Sequence, residues 1–445
     1  MFYLNMILLD ANIKQKSNYP MAEFKQKIKM QRGRFGHRPR NDPRYYNGIY
    51  PFIQTGNIVK ASEGNERIEY NQSLNELGLS TSRLFDEKVL VITIAANIGY
   101  TAILDYAACF PDSLVALTPK DDDLTLEYLN IYIRLIRQYI ENFAPQAAQK
   151  NINLKQLGKL PIIIPDKDVQ QEIVSIMESA YSKKNQLENE VQVLLENMNF
   201  YLLRELEIDS LAEEIDSLGS RVYYTRISNT LGDRLDPFYY QEKYNKFEKV
   251  ISSGKYHISK LGQYIVHIAY GASVDNCYEK TGIPMLRIKN IKPNEIDSQE
   301  IVYLPFEMEE KLRHSRVNAG DILITRSGTI GVCSMVDRLY DGFTFGSFMI
   351  KVSLREIVPQ YVSYIINSYI GKKYFERNKI GTVQGNITIP IIKSLPIPVP
   401  QIEKQNEIVQ KMQDFNLEIK KLEQEAKESV RIAKSKVIKI LLGEE

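Results

Sequence analysis

The chain has 445 residues, 44% hydrophobic and 25% charged, with a net charge of +2. That length exceeds what one hydrophobic core usually serves, so two or more domains are expected, and the composition excludes collagen-like and disordered classes. Three widely spaced cysteines, Cys109, Cys277 and Cys333, with no C-x-x-C pair, argue against a disulfide framework or a zinc site and suit a reducing cytoplasm. No apolar run is long enough to span a membrane.

The N-terminal MFYLNMILLD is apolar but lacks a basic leading segment and a small-residue cleavage site, so it does not read as a secretory signal. Residues 1–19 match no recognised motif. Residues 25–44 then hold eight Lys or Arg against one acid, Asp42, with aromatic Phe35 inside the run and Tyr45 just after it. Such a stretch suits a phosphate backbone, although a plain solvated loop has the same composition. The strand around YPF (50–52) leads into a loop carrying Gln54, Thr55 and Asn57. VLVITIAANIGYTAIL (89–104) is β-branched and punctuated by glycine, which predicts strand, turn, strand. A short helical pattern begins near Tyr128.

At Pro165 the chain is still extended, because the residue before a proline avoids the helical region. Beyond it Ile173, Met177, Ala180, Leu187, Val191, Leu194, Met198 and Tyr201 recur mostly at spacings of three and four. That periodicity predicts a long amphipathic helix with a coiled-coil seam, and Asp168 in its first turn suits the helix dipole. About 35 to 40 residues at 1.5 Å each give roughly 55–60 Å. Residues 207–235, acidic and then serine-rich, read as a connector.

The same order then recurs. Residues 149–190 and 384–425 agree without gaps at 15 of 42 positions, including Asn151/Asn386, Leu160/Leu395, Pro165/Pro400, Gln170/Gln405 and Glu172/Glu407. DILITRSGTIGVCSMV (321–336) echoes the earlier hairpin through Ile92/Ile324, Thr93/Thr325 and Gly99/Gly331, and IPMLRIKNIK (283–292) echoes the YPF segment through Asn57/Asn290. A second helical seam runs through Met412, Phe415, Ile419, Leu422, Ala426, Val430, Ala433, Val437 and Ile440. The resulting expectation is an α+β chain: two similar mixed α/β domains separated by two long antiparallel coiled-coil helices, pseudo-two-fold through internal duplication. The boundaries are 1–165 for the first domain, 166–206 for its helix, 207–235 for the connector, 236–400 for the second domain and 401–445 for its helix.

Signatures of catalysis are missing. There is no phosphate loop, no G-x-G-x-x-G, no H-E-x-x-H and no cysteine or histidine cluster, and the four histidines (37, 257, 267, 314) are scattered. DPFYY (236–240) is close to the acid-Pro-Pro-aromatic tetrapeptide of adenine methyltransferases but lacks the second proline. The glycines of TRSGTIG (325–331) are those of a tight turn. No catalytic or metal-binding residue is assigned.

A duplicated fold with a rigid helical spacer matches duplex DNA, whose half-sites on one face lie about one turn apart. At this point the chain resembles the specificity (S) subunit of type I restriction-modification enzymes, through GRFGHRPRNDPRYYNGIYPFIQTGNI (33–58), ILITRSGTIG (322–331), RLDPFYY (234–240) and the paired junctions at 160–174 and 395–409, where LPIIIP and LPIPVP each lead into Q-x-E-I-V. The resemblance implies two target recognition domains, each reading half of a split DNA sequence. It also implies two modification subunits docked on the helices, restriction subunits beyond them, and a cytoplasmic complex. This chain would bind no cofactor, with S-adenosylmethionine, ATP and magnesium held by the partners.

Base readout favours Arg or Lys on guanine and Asn or Gln on adenine. The candidate DNA-binding residues are Arg32, Arg34, Arg38, Arg40, Arg44, Gln54, Thr55 and Asn57 in the first domain, and Arg287, Lys289, Asn290 and Arg326 in the second. Lys183, Lys184, Asn185 and Glu188, off the helical seam, are candidates for the modification-subunit face. The rival readings are a methyltransferase or nuclease with its own cofactor loop, a non-catalytic coiled-coil scaffold, and an orphan DNA-binding protein.

Overall fold

The computed structural model describes residues 17–37, 41–143, 151–208, 237–275, 277–381 and 385–443. The chain divides into two compact units, residues 1–191 with 421–445, and residues 192–420. Both divisions fall inside long helices, so each unit keeps one segment of each.

In the first unit, β1 (Met21–Glu23) leads into β2 (Ile28–Arg32), helix α1 (Thr55–Gly64), the hairpin β3 (Val89–Thr93) and β4 (Thr101–Leu104), then β5 (Leu114–Pro119) and helix α2 (Leu126–Phe143). β2, β5, β3 and β4, in that spatial order, form an antiparallel sheet. Every residue of β3 is buried because its alternating side chains serve two cores. Leu90 and Ile92 point with Val115 and Leu117 at α2, while Val89 and Val91 point with Ala102 and Ala116 at Ile53, Ile58 and Phe110. β6 (Pro161–Ile163) pairs with β1 and feeds helix α3 (Lys167–Glu205), 39 residues long.

After its segment of α3 the second unit has α4 (Glu242–Ser252) and repeats the plan: β7 (Ile258–Lys260), β8 (Ile265–Tyr270), the hairpin β9 (Ile322–Thr325) and β10 (Cys333–Met335), then β11 (Met349–Leu354). Helices α5 (Pro359–Asn367) and α6 (Tyr369–Asn378) follow, then β12 (Pro396–Pro398) and the 41-residue α7 (Ile402–Leu442). Its sheet order, β8-β11-β9-β10, matches the first, and β7 pairs with β12 as β1 does with β6. Where α2 is one helix, α5 and α6 are separated at Ser368, whose backbone is extended and whose hydroxyl accepts from the Ile370 amide. α4 has no described counterpart, and it packs against residues 237–240, the described end of RLDPFYY; the first three residues of that motif lie outside the described residues. Arg377 on α6 is 7% exposed, donates to the Tyr239 carbonyl at 3.0 Å and pairs with Glu248 of α4. The aromatic segment is thus a packing element.

Within each unit the helical seams meet antiparallel. In the first, Ile173, Met177 and Ala180 share a core with Ala433, Val437 and Leu441, and Lys183 bridges to Glu425 at 2.7 Å. In the second, Tyr201 meets Phe415 with ring centroids 6.0 Å apart and Lys404 bridges to Glu205 at 2.8 Å. Each helix is fastened to its own domain by the repeated glutamine. Gln170, fully buried, donates to the Pro165 carbonyl at 2.9 Å and accepts from the Thr125 amide at 3.0 Å. Gln405, 1% exposed, donates to the Pro400 carbonyl and accepts from the Val358 amide, both at 2.8 Å. Tyr128 and Tyr361 repeat the device, giving their hydroxyl protons to the carbonyls of Ile163 and Pro398 at 2.7 and 2.8 Å. Residues 209–235 of the connector, the adjoining Asp236 and all of residues 1–16 lie outside the described residues.

Candidate nucleic-acid interface

The hairpin turns show why one end of each sheet is the place where loops collect. Thr93 and Thr325 each end a strand with a hydroxyl turned inward, accepting from the amides of Tyr100 and Val332 at 3.0 and 2.9 Å. The amides of Gly99 and Gly331, whose φ values are +82° and +76°, return to the carbonyls of Thr93 and Thr325. Only glycine takes that left-handed conformation without strain, so the two turns close identically. The residue after each threonine then ties two neighbouring segments. The Ile94 amide donates to Ser113 and its carbonyl accepts from Ile152; the Arg326 amide donates to Phe348 and its carbonyl accepts from Ile387. Ile94 and Arg326, and likewise Ser113 and Phe348, therefore hold equivalent positions.

In the first unit this end gathers four of the expected residues. Arg32 ends β2 opposite Val115, and Arg34 follows, exposed, with its amide on the Phe110 carbonyl at 2.9 Å. Gln54 and Thr55 line a cleft of about 520 Å³ with Asn41, Gly56, Gln72 and Ser113. Gln54 donates to Gln72, and the Thr55 and Ser113 hydroxyls lie 3.3 Å apart. The cleft mixes these amides and hydroxyls with the apolar walls of Pro43, Tyr46, Phe52 and Pro111, and more of its lining is apolar than polar.

Several expectations need correction. Residues 54–57 begin a helix, not a loop, because the Asn57 side chain accepts from the Gln54 amide at 2.8 Å and caps α1. Asn290 repeats that cap on Arg287 at 2.9 Å, is 1% exposed, and donates to the carbonyls of Asp297 and Gln299. It is a buried structural amide and presents nothing to a ligand. Asn290→Ala should cost the second unit about 1–3 kcal/mol through its orphaned partners, read as a lower urea midpoint, with no change in DNA sequence preference. Arg44 is engaged by Asp42 at 2.6 Å, and that guanidinium holds the carboxyl well below the usual carboxylate range. Lys289 pairs with Glu300, whose backbone carbonyl accepts from Arg287 at 2.7 Å.

The basic run itself is no single patch. Lys27 turns to Asp121 and Asp123, Lys25 to Glu23, and Phe35, 2% exposed, belongs to the core with Phe52. Arg38 and Arg40 lie outside the described residues. The helix-face candidates are also engaged: Lys183 with Glu425, Lys184 with Glu188, and Asn185 with the Gly64 carbonyl.

In the second unit Arg326 is the centre of the sheet end. Its Nε donates to the Asn386 side chain at 3.2 Å, and its guanidinium lies 4.6 Å from the centroid of Tyr270. Among the described residues it makes no ion pair. Tyr270 and Phe348 are both exposed here and carried no signal in the sequence, whereas Asn386 was visible as one of the repeated residues. No group of three or more potential metal ligands occurs among the described residues, and none of their helices is long and apolar enough to cross a membrane.

The family model for the type I restriction modification DNA specificity domain matches residues 33–197 and again 265–430, once in each half. The type I restriction enzyme MjaVIII specificity subunit of Methanocaldococcus jannaschii is 27% identical over 175 residues, 37% of this chain and 40% of that protein. The EcoBI specificity subunit of Escherichia coli is 23% identical over 149 residues, 33% of this chain and 31% of that one. The chain thus spans less than half the length of the curated relatives it matches. A chain from a structure addressing complex assembly and conformational transition of the type I restriction-modification system shares the fold, with a TM-score of 0.50 and 13% identity over 96% of this chain and 98% of that one.

Proposed function

Since the chain belongs to the type I restriction-modification DNA specificity family, we propose that it is the sequence-reading subunit of such a complex and has no catalytic activity of its own. The observation that carries this reading is the double match of the family model, once on each sheet with its following helix. Each domain reads one half of a split duplex target with the loop end of its sheet: Arg32, Arg34, Gln54 and Thr55 in the first, and Arg326 in the second, with Arg287 next to Leu286, whose carbonyl accepts from the Gly346 amide at 3.0 Å. The long helices set the gap between the halves, since helices of 39 and 41 residues are stiff on that scale.

Two modification subunits dock on those helices. The exposed apolar side chains Val193, Phe200 and Leu417, all in the second unit, supply a docking face that the engaged Lys183, Lys184 and Asn185 do not. Restriction subunits join through them. The complex works in the cytoplasm, and S-adenosylmethionine, ATP and magnesium are held by those partners.

The test is sequencing that reports methylated adenine, comparing a strain with and without this gene. Loss of one motif made of two short unlike halves with a fixed gap is expected; an unchanged set of methylated motifs overturns the reading. Arg326→Ala should weaken binding by about 1–3 kcal/mol and relax a single position of the second half-site. Competition among duplexes varied at each position measures it.

A further inference from the structure

We infer that the second recognition domain reads an A·T pair through an apolar contact, with Phe348 set against the C5-methyl group of a thymine in the major groove. The inference rests on the DNA-reading role proposed above and goes beyond it by naming the base and the group recognised.

Phe348 is 58% exposed at the position just before β11. A free aromatic side chain in a mobile loop would mean little, but its backbone is held from three sides. Its carbonyl accepts from the Arg326 amide at 2.9 Å, the preceding Ser347 amide donates to Ala272 at 2.9 Å, and the following Met349 amide donates to Gly346 at 3.1 Å. The ring is therefore displayed on a fixed frame, which limits the entropy lost on binding.

The duplication supplies an internal comparison. Ser113, in the equivalent place, turns its hydroxyl to Thr55 in the cleft of the first unit, and Ile94, the counterpart of Arg326, is fully buried. In the second unit both residues of the pair have changed together, to an exposed ring and a guanidinium without an acidic partner among the described residues. Ile380, 52% exposed, extends the apolar surface, its backbone paired with Asn386, which in turn pairs with Ser327. A cation beside a displayed aromatic ring fits a duplex edge, where the guanidinium meets an acceptor atom and the ring meets the one apolar group on the major-groove floor, the thymine methyl. A protein partner would be recognised by a wider contiguous apolar patch than Phe348 and Ile380 supply.

The experiment uses the chain assembled with its modification subunits and duplexes carrying its split target. Each thymine of the second half-site is replaced in turn by deoxyuridine, which removes only the methyl group. One replacement should weaken the native complex by about three- to five-fold, the worth of one buried methyl, and have no effect on Phe348→Ala or Phe348→Ser complexes. Three results overturn the inference: no deoxyuridine effect in the native complex, a second half-site without A·T pairs, or the same effect in the variants. A Phe348→Ala loss that is equal for all sequences, with deoxyuridine neutral, makes the ring a wedge between base pairs instead. A native complex with no preference for any split target fails at the earlier step and removes the DNA-reading role itself. A native scan without a deoxyuridine effect overturns the inference by itself, and two substitutions of different polarity keep the variant comparison available if one of them does not assemble.

Discussion

Replacing Asp321 with alanine is expected to destabilise the second unit by about 3–5 kcal/mol, the cost of leaving one member of a buried ion pair alone. The Asp321 and Lys351 side chains are 5% and 7% exposed, with Nζ and Oδ2 3.7 Å apart. Each has further work: Lys351 donates to the Arg316 carbonyl at 2.6 Å, and Asp321 accepts from the Asn318 amide at 2.8 Å and from Ser353. Without the carboxylate, an ammonium group remains in an apolar sheet with one carbonyl for company. The first unit shows that the sheet does not need the charges, because the equivalent positions are Val89 and Ala116, 4% and 2% exposed. Asp321→Val combined with Lys351→Met should therefore recover most of the loss, leaving only the unpaired Asn318 amide and Ser353 hydroxyl. A double-mutant cycle in urea measures this. The single variant should lower the midpoint of the second unit by about 1–2 M, and a double variant as unstable as the sum of the singles would show that the charges do not sense each other.

The second large effect is expected at the glutamine junctions. Gln170→Leu removes the partner of three backbone groups, the carbonyls of Pro165 and Asp123 and the amide of Thr125. Gln405→Leu removes the partner of two, the Pro400 carbonyl and the Val358 amide. With a buried orphan costing about 1–3 kcal/mol each and partial relaxation, Gln170→Leu should lose about 3–5 kcal/mol and Gln405→Leu less. These bonds fix the first turn of a long helix to the strand and loop of its own domain, so the consequence reaches function. A loosened junction lets the helix change its angle, and in the DNA-reading role the gap between half-sites should no longer be unique. Sequencing of methylated adenine in a strain carrying Gln170→Leu should report the same two halves with a mixture of gaps. A single gap with an unchanged melting midpoint would mean that the glutamine is incidental.

Much of this is legible in the sequence. The duplication, the hairpins closed by Thr93 and Gly99 and by Thr325 and Gly331, and the seams of the two long helices are local or periodic features, and neighbouring residues along the chain encode them. Even Gln170 and Gln405 stood out as repeated residues, although nothing local says that a glutamine five residues after a proline will fold its amide back onto that proline's carbonyl.

What tertiary structure alone decided is which polar groups are already spoken for. Residues 25–44 look like one basic surface, yet Lys27 meets Asp121 and Asp123 only because β2 pairs with β5. Asn57 and Asn290 have the composition of base readers and are helix caps, since the backbone amide three residues earlier is a nearer partner than any ligand. Phe348 has the composition of a core residue and stands exposed, because its strand position carries it past the end of the sheet. A side chain's type sets the bonds it can make, and those bonds are encoded locally; the partner that takes them is chosen by segments far away in the chain, which come within reach only when the sheet and helices pack.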